Sequence, residues 1–263
     1  MSYLSKKYAG EVCYLELTRP EKKNALNKEM IGQLTDFLKQ TAESPHFRVL
    51  VISGKGKFFS AGADLKWMQT ASTQSREKNI KEANLFQNLY QTLYDYPKPV
   101  IVCAEGGAYG GAIGLLACAD IVTSTPDAAF AFAETKLGLI PATVAPWIIR
   151  KTGIGFARWA FLTGARFNGT VASENQLVQY LFAPDKIQPK TREIANQIAG
   201  NGPRAIKETK LLLNRIDGEI VNFDEDLRLL CSTKIAEARN SAEGQEGVAA
   251  FFGERKPSWN KIK

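Results

Sequence analysis

Two short stretches carry residue types and spacing suited to chemistry: Phe58-Phe59-Ser60-Ala61-Gly62-Ala63-Asp64-Leu65 and Glu105-Gly106-Gly107-Ala108-Tyr109-Gly110-Gly111-Ala112. Each is a turn of small residues that follows an apolar, β-branched run and leads into a helical pattern. Gly and Ala allow a ligand within hydrogen-bonding distance of the backbone, because no side chain stands in the way. The first turn of a helix adds free N–H groups and the positive end of its dipole. Two such turns facing each other would aim two backbone donors at one oxygen. That is an oxyanion hole, and it points to chemistry on a carbonyl or thioester.

Other chemistries find little support. The single histidine, His46, follows Pro45 in a polar loop, so Ser/His/Asp and Cys/His mechanisms lack a base. Gly153-Ile154-Gly155 has neither the third glycine nor the preceding strand of a dinucleotide fingerprint, and there is no P-loop. Cys13, Cys103, Cys118 and Cys231 are widely spaced without a CxxC pair, so neither a zinc site nor any other metal is expected. Free thiols in apolar runs fit a reducing, cytoplasmic setting. The net charge of +7 favours phosphorylated small molecules or nucleic acid. The charge is dispersed, with no arginine-rich arm or aromatic RNA-binding signature, which makes nucleic acid the weaker partner. No apolar run reaches the roughly 18 residues that span a bilayer. The start, Met1 to Lys7, lacks the apolar stretch of a signal peptide.

Stepping along the 263 residues, alternation over Glu11 to Thr18 predicts an opening strand, and Lys28 to Thr41 a helix with Ile31, Leu34, Phe37 and Leu38 on one side. Val49 to Ile52 is a buried strand before the first turn. Ser72 to Tyr96 is helical, with Leu85, Leu89 and Leu93 on one face. Val100 to Cys103 is the strand before the second turn; Ala112 to Ala119 is a small apolar helix, and strands follow at Ile121 to Ser124 and Ala128 to Ala133. This is strand–strand–helix repetition at roughly 50-residue intervals, not the strict alternation of a doubly wound sheet. Beyond about residue 190 only helical runs remain: Arg192 to Ala199, Arg204 to Leu213, Phe223 to Arg239 and Ser241 to Phe252. Their wide apolar faces must cover either this chain's core or a neighbouring subunit.

With both turns in place, and with Glu134-Thr135-Lys136-Leu137-Gly138-Leu139-Ile140-Pro141 between two apolar stretches, the chain resembles the crotonase superfamily, the enoyl-CoA hydratase/isomerase family, over nearly its whole length. The resemblance implies an α/β fold: a spiral of repeated ββα units over residues 1–190, and a C-terminal helical oligomerisation region over 191–263. It further implies a coenzyme A thioester as substrate rather than a separate cofactor, and a homotrimer or a hexamer of stacked trimers. Carried over by position, the oxyanion donors are the N–H groups of Ala63 and Gly111.

The carboxylates decide the reaction. Two-carboxylate hydratases of this family carry one Glu just after the second turn and another further on. Glu134 matches the later one; the earlier one falls on Gly114, which has no carboxyl. If the apolar segments around Glu134 exclude water, its pKa should rise toward the range of a general acid/base. The alternative is a surface Glu paired with Lys136. A single Glu suits hydration of a 2-enoyl thioester, and it also suits isomerisation by moving one proton between C2 and C4. The chemistry alone leans to isomerase. The wider sequence, Phe59 to Met68 with Gly114-Leu115, Ala133-Glu134 and Leu137 to Ala142, most resembles bacterial methylglutaconyl-CoA hydratases of leucine breakdown, so hydration is favoured. Ala142 stands where dienoyl-CoA isomerases have an Asp.

The same resemblance places Lys22, Lys23 and Lys66 near the nucleotide end of CoA, where phosphates want cations. Ala61, Asp64, Gly110 and Gly114 line the substrate, and Arg255 and Lys256 lie in a tail that reaches a CoA site. Glu254 takes the family's usual Lys position there. Trp67, Met68, Leu85 and Phe86 are either acyl-pocket or core residues. A non-catalytic acyl-CoA or RNA binder on the same fold is the rival from another class; a buried Glu134 speaks against it.

Overall fold

The computed structural model describes residues 2–71, 73–220, 225–255 and 257–258. Strands β1 (Leu4–Ala9) and β2 (Val12–Leu17) form an antiparallel hairpin in the register Leu4↔Leu17 to Ala9↔Val12. The sequence reading starts at β2. It misses β1 because Leu4-Ser5-Lys6-Lys7-Tyr8-Ala9 is an edge strand, exposed along nearly all its length, with no buried face to give it a period. A 3-10 turn (Pro20–Lys22) and helix α1 (Lys28–Thr41) follow. Asn27 caps α1 by accepting from the Met30 amide at 2.8 Å. Next come β3 (Val49–Gly54), α2 (Leu65–Ala71) and α3 (Arg76–Tyr94).

Thereafter strands alternate between two sheets. β4 (Val100–Ala104) joins the long sheet and β5 (Gly107–Tyr109) a short one; α4 (Gly111–Cys118) follows, then β6 (Ile121–Ser124) in the long sheet and β7 (Ala129–Ala131) in the short one. A second 3-10 turn (Glu134–Leu137), α5 (Ala145–Thr163), β8 (Arg166–Phe167), α6 (Gly169–Glu174) and β9 (Tyr180–Leu181) complete this part. The long sheet runs β1-β2-β3-β4-β6-β9 and is parallel from β2 onward; the short one runs β5-β7-β8. The expected strand–strand–helix repetition is this alternation, one full turn of which is β4-β5-α4.

The long sheet is buried on both faces, which is why its strands read as continuous apolar runs. Cys13, Leu15, Leu50, Ile52, Val100 and Val102 point into the main core with α1, α3 and α4. Val12, Val49, Val51 and Ile101 point the other way, onto Ala195 and Ala199 of α7 (Ile187–Ala199). That helix spans residue 190, where the composition changes, and it packs on the sheet. The chain then has only helices among its described residues: α8 (Pro203–Ile220), α9 (Glu225–Asn240) and α10 (Ala242–Phe252). α9 lies along α3, joined by Asn79 Nδ2 to Asn240 Oδ1 at 3.1 Å and by Ser232 to Asn84. α10 seats on the second 3-10 turn: a Cβ at Gly247 would overlap the Leu137 carbonyl.

Candidate active site

The two small-residue turns lie side by side. The Phe59 amide donates to the Glu105 carbonyl at 2.8 Å and the Tyr109 amide to the Ser60 carbonyl at 3.1 Å. The first turn is anchored from behind by Asn24. Its buried amide donates to the carbonyls of Lys55 (3.0 Å) and Phe58 (2.9 Å), while its oxygen accepts from the Arg19 amide at 2.9 Å. Gly62 has φ +84°, and a Cβ there would overlap the Tyr109 carbonyl oxygen and stand 3.4 Å from the Gly111 nitrogen. Only glycine lets the turns approach this closely.

The amides of Ala63 and Gly111 have no hydrogen-bond acceptor among the described residues, for identifiable reasons. Leu26 pairs with the flanks of Ala63, donating to the Gly62 carbonyl (2.7 Å) and accepting from the Asp64 amide (2.9 Å), so the Ala63 N–H points away from that pairing. Gly111 opens α4, where an N–H has no partner within the helix.

Glu134 opens the 3-10 turn just after β7, and the Gly110 amide to Ala131 carbonyl bond (3.0 Å) holds that strand end against the second turn. A Cβ at Gly110 would stand 3.1 Å from Glu134 Oε1. The carboxylate therefore sits at the head of α4, next to the residue that offers the Gly111 amide. The residue keeps partial exposure, but its Oε2 is sealed without a hydrogen-bond partner. Burial raises its pKa from 4.5 to about 7, with only its own backbone amide acting in the opposite direction. No ion pair to Lys136 forms; that lysine is exposed and lays its stem by Gly164.

Gly114 lies one turn into α4 and is fully enclosed. The space a side chain would take there is filled by Tyr90 of α3, whose Cε1 and hydroxyl would lie 2.6 and 2.7 Å from a Cβ. Tyr90 is 0% exposed, and its hydroxyl donates to the Gly111 carbonyl at 2.6 Å. Phe86, one turn earlier, packs against Gly111 and carries Trp67 stacked at 5.8 Å. Trp67 also donates to buried Glu82 at 2.8 Å. Sequence reading leaves Tyr90 and Asn24 unremarked. Tyr90 looks like any apolar-face residue of a long helix, and Asn24 like any turn residue.

The remaining sequence-picked residues fall in three places. Lys22, Lys23 and Lys66 are exposed around the first turn, and the Lys23 carbonyl accepts from the Ala61 amide at 2.8 Å. Asp64 is committed within the chain, to Arg19 at 2.9 Å and to the Lys66 amide at 3.0 Å. Arg255 is bound to Glu246 through both guanidinium nitrogens, at 2.5 and 2.7 Å, and Lys256 lies outside the described residues. Two surface clefts, of about 450 and 300 Å³, are lined by none of these residues.

The sequence profile of the enoyl-CoA hydratase/isomerase family matches residues 7–262. A Thermus thermophilus protein provisionally assigned as an enoyl-CoA hydratase is 31% identical, with 94% of this chain and 97% of that one aligned. The 1,2-epoxyphenylacetyl-CoA isomerase of Escherichia coli is 29% identical over 94% of both chains. The crystal structure of an enoyl-CoA hydratase from Shewanella pealeana superposes with a TM-score of 0.79 at 35% identity, covering 98% of this chain and 96% of that one. Sequence, fold and paired turns agree: the chain belongs to the enoyl-CoA hydratase/isomerase family.

Proposed function

We propose that this chain is a single-glutamate enoyl-CoA hydratase acting on a short, branched 2-enoyl thioester, with methylglutaconyl-CoA as the first candidate. The family carries the class of activity, hydratase or isomerase on acyl-CoA. The observation that carries the site is the sealed, unpartnered Oε2 of Glu134 beside the Gly110-Gly111 turn. With the thioester oxygen between the Ala63 and Gly111 amides, electron density moves from the C2=C3 bond toward that oxygen as a nucleophile attacks C3. Glu134 takes one proton from the attacking water, whose oxygen bonds to C3, and returns that proton to C2. The product gains one water and nothing else changes. A carboxyl group titrating near neutrality can do both halves.

The nucleotide end of CoA falls to Lys22, Lys23 and Lys66 in this reading, with Arg255 and Lys256 from the tail, while Ala61, Asp64, Trp67, Gly110 and Gly114 surround the thioester. Leu211, Leu212 and Leu213 of α8 and Phe251 of α10 are exposed, and they support assembly into a homotrimer or a hexamer built as a dimer of trimers. The setting proposed for the enzyme is cytoplasmic. One observation favours the second reading, an enoyl-CoA isomerase: Tyr90 occupies the place where a second carboxylate would hold water.

The test is absorbance of the conjugated enone with crotonyl-, 3-methylcrotonyl-, 3-methylglutaconyl- and a 3-enoyl-CoA, wild type beside Glu134→Gln. Loss of 2-enoyl absorbance, strongest for methylglutaconyl-CoA and abolished in the variant, is expected. Gain of absorbance from the 3-enoyl substrate alone makes the chain an isomerase. Equal rates for both proteins would remove Glu134 from the mechanism.

A further inference from the structure

We propose that Tyr90 is the positioning residue of the oxyanion hole: its hydroxyl clamps the Gly111 peptide from α3, while its ring plugs the position at which a second catalytic carboxylate would stand. The inference rests on the thioester reading of the site and goes beyond it by assigning a role to a residue that need not touch the substrate.

The need for a clamp follows from the sequence of the turn. Gly110 and Gly111 are adjacent glycines at the start of α4, and Gly110 holds φ +47°, ψ −124°, with no side chain capping the helix. Two glycines leave the direction of the Gly111 N–H poorly fixed by the local chain. An oxyanion donor must be aimed before reaction, because a donor that reorients during the step gives back most of its advantage. Here the aim is set from another element. Tyr90 donates to the Gly111 carbonyl at 2.6 Å, and a Cβ on Gly111 would stand 3.2 Å from that hydroxyl and 3.0 Å from Phe86 Cε1. Gly111 is thus held by one hydrogen bond, and the Phe86 and Tyr90 side chains leave no room for a larger residue in its place.

Tyr90 itself lies in an aromatic cluster. It is fully enclosed, its ring lies 5.8 Å from that of Phe86 and 6.5 Å from that of Trp147. Burial, with Cys118 and Glu134 facing it, pushes the phenol well above its usual range, so it stays a donor at any working pH. The plug is equally definite. Any side chain at Gly114 would overlap the Tyr90 ring, so this site cannot be returned to two carboxylates by a change at position 114 alone.

The experiment uses the full-length protein and an aryl-enoyl-CoA whose absorbance moves to longer wavelength when its carbonyl is polarised. Wild type is compared with Tyr90→Phe, which keeps the ring and removes the donor. Expected are a smaller red shift, unchanged affinity for the probe, and a roughly 10- to 100-fold fall in kcat with KM held. The pH profile, set by Glu134, should not move. A full red shift and full kcat in Tyr90→Phe overturn the proposal. Replacing Tyr90 by 3-fluorotyrosine, an isosteric but more acidic phenol, gives a second arm that does not depend on Tyr90→Phe folding. An unmoved alkaline limb supports positioning, and a limb that shifts down with the phenol makes Tyr90 the proton donor and sinks the clamp. Absence of any red shift in wild type would instead overturn the oxyanion-hole reading itself.

Discussion

In the proposed mechanism Glu134 links catalysis to stability with a definite sign. Its carboxyl holds its proton to about pH 7 in the folded chain but to about 4.5 in the unfolded one. Between those values the native state binds more protons, so stability falls as pH rises through the window. The full shift corresponds to roughly 3–4 kcal/mol. Glu134→Gln is therefore expected to unfold at a higher temperature than wild type at pH 8 and to match it near pH 4.5; equal midpoints at both pH values would mean the carboxylate is solvated. The same titration should place an inflection of kcat/KM near pH 7. Gly114→Ala is expected to lose about 1–3 kcal/mol, since the new methyl must displace the Tyr90 ring. Unchanged urea unfolding would show that α3 and α4 are looser than their packing implies.

At the level of elements, the site is the product of two close approaches, strand end to turn and turn to turn. Gly62→Ala should separate the turns by pushing on the Tyr109 carbonyl at a backbone angle alanine avoids. Its expected signature is a fall in kcat of at least 10-fold, with a red-shift assay reporting the weakened hole; a fully active Gly62→Ala would show that the turns can part without loss. These turns were legible because their chemistry depends on local composition, small residues between an apolar strand and a helix. α1, α4 and β2, β3, β4 and β6 of the long sheet were legible for a similar reason: their burial pattern repeats along the chain. α2, α5 and β1 were not. Leu65–Ala71 is short and starts inside a signature turn, Gly153 interrupts the period of Ala145–Thr163 with φ +79°, and β1 has no buried face. Tyr90 and Asn24 were invisible for another reason. Their roles come from partners 21 to 34 residues away, and no local pattern announces a hydrogen bond across that distance.

For the molecule as a whole, the exposed lysines and leucines separate two kinds of recognition. If Lys22, Lys23 and Lys66 hold the nucleotide phosphates, their joint replacement by Ala should raise KM for a CoA thioester several-fold. It should leave the N-acetylcysteamine thioester untouched; a parallel loss on both would deny the lysines that role. Leu212→Glu with Leu213→Glu is expected to lower the mass seen by sedimentation from an oligomer to a single chain, and a wild-type monomer would contradict the assembly proposed. The helical region also reaches the chemistry directly. The 3-10 turn that presents Glu134 rests on α10, where Gly247 sits too close to the Leu137 backbone for any side chain, and Gly138 likewise meets the Glu243 backbone. During synthesis, then, the sheet and both glycine turns can be complete while the acid still lacks its seat. If Glu134 is the proposed acid/base, the enzyme can be folded for most of its length on the ribosome and remain inert until residues 242–252 emerge.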